Sequence, residues 1–352
     1  MPRYSYGHMR ILISYFFHDR CIPVGMSLAD AFIDNQWEVL RFDCTIEHPT
    51  YRHVLKPLKS AKRRMGLRTD FEEHSKYGRQ GYKRWRFFEL LAQSKPDVVL
   101  VVKAHEFLRA EDVIRAKREF GVKLVVGWSV DGPNVHFDLD AEAQKYDLYY
   151  STHKHGSVSS SVRRLPFVAV DKKRYFRWNS DFMRRDKASV LVSGWNPRRQ
   201  MFVDGLVASE TAVYGGWIKA NRHNPEFLPL IQRKDIWGDD LRGLYNVARV
   251  ALNIQGWDPR LDPCCNLRVM DIPACGALLV SEYSEELADY YKLGIEADSF
   301  RDPSEMIDKL SFYRNNPAIA ARMAEAGNRK TQQLPTYTDK ASSIIADIRR
   351  LL

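Results

Sequence analysis

The chain has 352 residues, of which 45% are hydrophobic and 28% charged, with five cysteines and a formal net charge of +10. This length exceeds the roughly 250–300 residues at which a single core stops growing, so two domains are expected. No apolar run approaches the ~20 residues of a membrane span, no secretory segment opens the chain, and the cysteine spacing favours neither a disulfide framework nor a structural metal.

Apolar runs alternate with helical stretches through the first half of the chain. Strands are expected at 10–16, 37–43, 96–102, 122–128 and 146–152, with helices at 26–36, 82–94 and roughly 109–119. Runs of Val, Ile and Leu separated by helices indicate a parallel sheet covered on both faces. Ligands of such sheets gather at the carboxyl ends of the strands.

Basic residues crowd into one segment of this half, 52–86. Such a cluster suits an anionic lipid, an anionic substrate or nucleic acid, or it is a solvated excursion with no partner. No zinc finger, KH-type loop or RNP-like motif accompanies it, so nucleic acid is not favoured.

The alternation restarts in the second half, after a basic, aromatic segment at 163–187 that is expected to be a linker. Further strands are expected at 188–195, 211–217, 248–254 and 276–282, followed by amphipathic helices to the end of the chain. The pattern therefore indicates two consecutive α/β sheets with a cleft between them.

Two strand exits in the second half carry candidate ligand-binding residues. After the first, Gly194 allows a close backbone approach, and Arg198 and Arg199 lie where a helix begins. A helix N-terminus with guanidinium groups suits phosphate, although two solvated surface arginines fit the same pattern. After the second, Gly215 gives a flexible exit and Trp217 an aromatic ring for a base, although Gly-Gly is also common in loops.

The stretch 266–282, "NLRVMDIPACGALLVSE", carries a stronger pattern. A helix that starts near Asn266 directs its free N–H groups and Arg268 at a diphosphate, and Asp271, on the same face, accepts both hydroxyls of a ribose. Pro273 is expected to end or kink this helix, and Gly276 to turn the chain into the next strand. The alternative is an exposed ion pair between Arg268 and Asp271.

Three segments, "YNVARVALNIQGW", "NLRVMDIPACGALLVSE" and "RDPSEMIDKLSFYRNNP", resemble the C-terminal domain of GT-B glycosyltransferases. The closest likeness is to the spore-maturation-protein CgeB-like branch, whose pattern is Asn-x-Arg-x-x-Glu-x-x-Ala-Cys-Gly. The resemblance covers about residues 160–350, and "PDVVLVVKAHEF" and "GWSVDGPN" extend it more loosely toward the N-terminus. Asp271 replaces the usual glutamate, which shortens its reach.

The resemblance implies two Rossmann-like domains facing across a cleft, with a C-terminal helix that returns to the N-terminal domain. The implied parts are an acceptor domain at 1–170, a linker at 171–187, a donor domain at 188–335 and the returning helix at 336–352. It also implies a nucleoside diphosphate sugar as co-substrate, held mainly by the donor domain, and no other cofactor.

One departure from related retaining enzymes concerns the catalytic step. They carry a second glutamate eight positions before the ribose-binding one, and here that position is Pro263, with Asp258 and Asp262 nearby. Retention is therefore not assumed, and inversion needs a base in the N-terminal domain. The candidates for that base lie just past predicted strands; Asp131 is preferred over His105 and His18, each of which also fits a polar loop residue without a catalytic role.

Together these observations predict a glycosyltransferase of the hexosyltransferase type. Asp138-Leu139-Asp140 mimics the metal-binding motif of the other glycosyltransferase fold, but it lies inside an apparent GT-B N-terminal domain, so metal independence is expected. The rivals are a sugar-nucleotide epimerase or phosphorylase on the same fold and a non-catalytic adaptor that binds polyanions through 52–86.

The charge leads to expectations about partners. The acceptor is expected to be an anionic glycan, a lipid-linked molecule or a protein, and not a nucleic acid. The protein is expected in the cytoplasm, with peripheral contact at the inner face of the membrane.

Overall fold

The computed structural model describes residues 9–67, 75–103, 107–130, 138–153, 162–178, 181–209, 211–233 and 235–352. Within these ranges the chain forms two six-stranded sheets, each with parallel strands and flanking helices. No helix in these ranges is long and apolar enough to cross a bilayer.

The N-terminal sheet has the strand order β2-β1-β3-β4-β5-β6. Its central strand β3 reads Val-Val-Leu-Val-Val and is buried throughout, which is why a continuous apolar run predicted it. The strands are β1 (Arg10–Tyr15), β2 (Glu38–Asp43), β3 (Val98–Val102), β4 (Leu124–Ser129), β5 (Leu148–Ser151) and β6 (Val162–Arg164).

Helices cover this sheet and also form a surface segment after β2. The helices are α1 (Val24–Asp34), α2 (Lys56–Arg64), α3 (Arg79–Ser94), α4 (Ala110–Phe120) and α5 (Leu139–Ala143), and a π-helical turn (Tyr51–Leu55) leads into α2.

The C-terminal sheet has the order β12-β11-β10-β7-β8-β9. Its strands are β7 (Lys187–Val192), β8 (Ala212–Tyr214), β9 (Ile231–Arg233), β10 (Ala248–Asn253), β11 (Leu278–Glu282) and β12 (Asp298–Phe300). Its helices are α6 (Pro197–Val203), α7 (Ile218–Asn221), α8 (Gly238–Val247), α9 (Arg268–Ala274), α10 (Glu285–Tyr290), α11 (Pro303–Asn315) and α12 (Pro317–Thr331).

The last helix, α13 (Tyr337–Leu351), packs on the N-terminal domain. Ile344, Ile345 and Ile348 are buried in the same hydrophobic core as α1 and β1, which confirms the predicted return of the chain. Where the chain crosses back, Val170 of the first crossing pairs with Thr336 of the second. The two connections between the domains therefore lie side by side.

The structure differs from the sequence prediction in its short elements. Three strands of three residues each, β6, β9 and β12, were not predicted, because so few residues show no periodicity. The segment 163–187 also contains regular structure. The strand β6 (Val162–Arg164) overlaps its start, and a 3-10 turn (Phe182–Arg184) lies near its end. In the described parts of the basic segment, 52–67 and 75–86, the chain forms α2 and the start of α3 and not only an irregular excursion.

Candidate functional site in the cleft between the domains

The carboxyl edge of the C-terminal sheet begins with the exit from β7. Asn196 caps α6 by accepting a hydrogen bond from the backbone N–H of Arg199 (2.7 Å), so a helix does begin where the two arginines lie. Gly194, just before it, is exposed, and a Cβ added there would meet no atom within 4 Å. This glycine leaves open space at the edge of the sheet.

Arg198 and Arg199 both hold this edge together. Arg198 forms an ion pair with Glu282 at the end of β11, and Arg199 donates to the carbonyls of Ile254 (3.0 Å) and Gly194 (2.8 Å). Burial, together with the nearby charges of Arg268 and Arg198, lowers the pKa of Arg199 to about 9. The edge is therefore electropositive, which suits an anionic ligand.

The N-terminus of α9 rests on a network of amide side chains. Asn266 donates to the side-chain oxygens of Asn253 and Gln255, both at 2.8 Å, and accepts from the backbone N–H of Arg268 at 3.0 Å. Asn266 thus fixes the start of α9 on the end of β10. The Gln255 side-chain nitrogen is buried without a hydrogen-bond partner among the described residues, which leaves a donor at this edge for a ligand oxygen.

Asp271 lies in the first turn of α9 and is buried. Burial raises the pKa of its carboxyl well above the usual value. The nearby charge of Asp171 raises this pKa further, and the charge of Arg268 lowers it in part. Within the described ranges, Asp271 forms neither a hydrogen bond nor an ion pair, so the predicted alternative of an exposed pair with Arg268 does not hold. A buried carboxylate without a partner is costly to keep.

Trp217 and Gly215 follow β8, and the position of Trp217 differs from the prediction. The Trp217 side chain is fully buried, and its indole N–H donates to the carbonyl of Ser193 at 2.6 Å. Its ring belongs to the core of the C-terminal domain, so the prediction that it lies against a base is wrong. Gly215 has φ +128°, and an added Cβ would lie 2.0 Å from the Ser193 oxygen. This glycine is required by the close approach of the two strand exits.

A cavity of about 620 Å³ opens between the domains. The loop between β1 and α1 forms one wall, and the start of α8, Trp237 to Asp240, forms another. Tyr175 of the linker also lines it, and the nearby Asp271 carboxylate helps burial to raise the pKa of Tyr175. No residue of α9 is among the described lining residues, but Tyr175 packs in the same hydrophobic core as Val269 and Met270 of α9, so we take this cleft as the candidate site.

Of the three predicted bases, only His18 can be located. It is exposed in the loop between β1 and α1 and lines the cavity. Asp131 and His105 lie outside the described residues.

A buried pair joins the two domains. His153, just past β5, shares a hydrogen bond of 2.5 Å with Asp262, in the loop between β10 and α9. Cys264 donates from its thiol to the carbonyl of Thr152 (3.2 Å), and Trp257 packs edge-on against the His153 ring. Nothing in the sequence linked His153 to Asp262, because the pairing spans 109 positions.

Potential metal ligands occur at this interface. His153, Asp262 and Cys264 place one ligand atom each within 4.8 Å of one another. Both Asp262 oxygens already accept hydrogen bonds, from His153 and from the Cys264 backbone N–H, so a metal would have to displace these contacts. Asp138 caps α5 by accepting from Ala141, which accounts for the first residue of the Asp-x-Asp mimic.

Solved structures of other proteins share this fold. A sucrose-phosphate synthase from Thermosynechococcus elongatus is similar at 15% identity and TM-score 0.64, over 98% of this chain and 99% of that one. HepE from Anabaena, solved with UDP and glucose, is similar at 12% identity and TM-score 0.65, over 97% of this chain and 100% of that one. The fold is GT-B.

The family comparison covers most of the C-terminal half of this GT-B chain. Residues 198–346 match a family model described as glycosyl transferase-like. TarM is a further structural relative, at 8% identity and TM-score 0.62 over 98% of this chain and 99% of that one. No curated protein matches the sequence significantly. The matched range contains Arg198, Arg199 and all of α9.

Proposed function

We propose that this protein is a glycosyltransferase that moves a sugar, of the hexosyl class, from a nucleoside diphosphate sugar to an acceptor hydroxyl. The observation that carries the proposal is the buried, unpartnered Asp271 carboxylate one helical turn from Arg268 at the carboxyl edge of a GT-B donor domain. Ligand hydroxyls give such a carboxylate the hydrogen bonds that the protein does not.

The donor is assigned to the C-terminal domain by charge and hydrogen-bonding capacity. Asp271 accepts the ribose hydroxyls, and Arg268 together with Arg199 neutralises the diphosphate. Arg198, Gly194 and Gly215 do not contact the ligand in this proposal; they shape the edge of the sheet around it. Because HepE was solved with UDP, a uridine donor is the first to test.

The acceptor side belongs to the N-terminal domain in this proposal. Asp131, His105 and His18 remain the candidate bases for an inverting reaction. In the loop where related retaining enzymes carry a glutamate, Asp258 is paired with Arg260 and Asp262 with His153. Either carboxylate would have to leave its partner to replace that glutamate. We further propose that transfer needs no metal.

Isothermal titration with UDP, GDP, TDP and ADP tests the donor site. Arg268→Ala should weaken binding of the preferred nucleotide by about 1.5–3 kcal/mol, the value of a hydrogen bond to a charged group. Asp271→Ala should weaken it as well, whereas Asp308→Ala, an exposed carboxylate on α11, is the control that should leave it unchanged.

The titration and two activity assays separate the rival functions. An absence of nucleotide binding would favour the polyanion-binding adaptor. Isomerisation of a bound sugar nucleotide without an acceptor would favour an epimerase, and a putative UDP-N-acetylglucosamine 2-epimerase is also a structural relative, at TM-score 0.52. Turnover that is lost with EDTA and restored by a divalent cation would contradict metal independence.

A further inference from the structure

Helix α2 is a surface helix whose side chains contribute nothing to a core. None of its nine residues is buried, and it follows a π-helical turn in which only Tyr51 is buried. Val54, Leu58 and Met65, in and around the helix, are 56%, 45% and 66% exposed. Three large apolar side chains on one short segment are thus left in water.

These apolar side chains share one face of the helix. Leu58, Ala61 and Met65 are spaced three and four residues apart, and Val54 precedes Leu58 by four. Residues at this spacing lie above one another along a helix. Within the described part of the chain, none of the four joins a hydrophobic core cluster. The face is an apolar stripe without a partner.

The rest of the segment is strongly basic. Residues 52–67 contain six Lys or Arg and no Asp or Glu: Arg52, Lys56, Lys59, Lys62, Arg63 and Arg64. Lys56 reaches Glu47 at 3.2 Å, outside the segment. Cations therefore flank the stripe, the arrangement of helices that lie in the headgroup region of anionic membranes.

We propose that α2 binds the surface of an anionic bilayer, lying in the plane of the interface with Val54, Leu58 and Met65 inserted below the headgroups. Charge complementarity selects this partner, since phosphate headgroups meet the cations while acyl chains cover the stripe. A nucleic acid would satisfy the cations and leave the apolar stripe exposed. This inference goes beyond the proposed glycosyl transfer and does not depend on it.

The position of α2 connects this surface to the cleft. The helix follows the carboxyl end of β2, and Arg41 of β2 lines the cleft cavity. The loop between β1 and α1 leaves the same edge of the sheet. Docking through α2 therefore brings the acceptor side of the cleft close to the membrane, where a lipid-linked acceptor would be located.

Vesicle co-sedimentation of the full chain tests the proposal. Binding to phosphatidylcholine vesicles that contain phosphatidylglycerol should exceed binding to phosphatidylcholine alone by about tenfold or more, and it should weaken as salt rises. Leu58→Ser with Met65→Ser should reduce binding by about tenfold. The matched control, Met201→Ser with Leu261→Ser, changes two exposed apolar residues of the C-terminal domain and should bind as the wild type does.

Hydrogen exchange on the same vesicles locates the contact independently of any variant. Amides of residues 51–67 should gain protection when phosphatidylglycerol is present. Equal binding to both vesicle types, wild-type binding by the double serine variant, or protection elsewhere but not in 51–67 would each overturn the proposal. Since α2 buries no side chain, the serine variant should keep the wild-type melting temperature, which excludes unfolding as the cause of lost binding.

Discussion

His153 of the N-terminal domain and Asp262 of the C-terminal domain form a buried hydrogen bond between the domains, 2.5 Å long. Burial raises the pKa of Asp262, but the hydrogen bonds from His153 and Cys264 outweigh it and hold that pKa below the usual value. Asp262 lies in the loop that leads into α9. The pair therefore ties the loop before α9 to the N-terminal domain.

Removal of Asp262 should weaken the contact between the domains. Asp262→Ala removes the hydrogen bond between Asp262 and the buried His153 and should lower the free energy of unfolding by about 1–3 kcal/mol in urea titration. The control, Asp258→Ala in the same loop, loses only a contact with the exposed Arg260 and should cost less than about 1 kcal/mol. Equal losses in the two variants would mean that the buried pair adds nothing.

Replacement of Asp271 should stabilise the protein while it weakens donor binding. The folded-state pKa of Asp271 lies above its unfolded value, so ionisation of the carboxylate at neutral pH costs stability. Asp271→Asn removes that cost. Urea titration should show a more stable variant at neutral pH, with the gain fading as the pH falls toward about 4, the usual pKa of aspartate. A variant less stable than the wild type at neutral pH would show that Asp271 has a structural partner.

Lys340 should make stability depend on pH in the opposite direction. Burial lowers its pKa to about 7, and its ammonium lies 5.1 Å from the centre of the Trp128 ring. Between pH 7 and about 10, the unfolded chain binds the proton and the folded chain releases it, so wild-type stability should rise with pH. Lys340→Met should flatten this rise in urea titrations, and Lys173→Met, an exposed control, should leave it unchanged. An unaltered slope in Lys340→Met would refute the assignment.

Two adjacent glycines provide a matched pair for backbone strain. Gly215→Ala forces a Cβ against the Ser193 carbonyl at φ +128° and should cost about 2–4 kcal/mol of stability. Gly216→Ala adds the same methyl group where no atom lies within 4 Å and should change stability little. Thermal unfolding of both variants measures the difference, and similar melting temperatures would count against the required close approach.

The sequence predicted the long elements of the fold for a simple physical reason. A strand buried along its whole length, such as β3, is apolar throughout, so its composition reveals it. The strand β9 and the strand β6 are too short to carry such a pattern. Helix α2 was not predicted, because its few apolar residues lie among six Lys or Arg in 52–67, a composition that also fits a solvated excursion.

The candidate site was predictable only where it follows local rules. The helix N-termini at Arg198 and near Arg268 were predicted because caps and strand ends are short-range features. The burial of Trp217 was not, since the same sequence fits an exposed ring and a ring turned into the core. The His153–Asp262 pair depends on how the two domains meet, and one sequence holds no information on a contact between residues so far apart.

The return of α13 has a consequence for how the chain reaches its folded state. Ile344, Ile345 and Ile348 fill the core of a domain whose other parts come from the first half of the chain. During synthesis the whole C-terminal domain is made before these side chains exist. The N-terminal domain therefore emerges from the ribosome with an open apolar face along α1, and it closes only after translation of its partner is complete. The C-terminal domain, in contrast, has its whole core available before α13 is made, so it can fold first, as an insertion in a domain that is still incomplete.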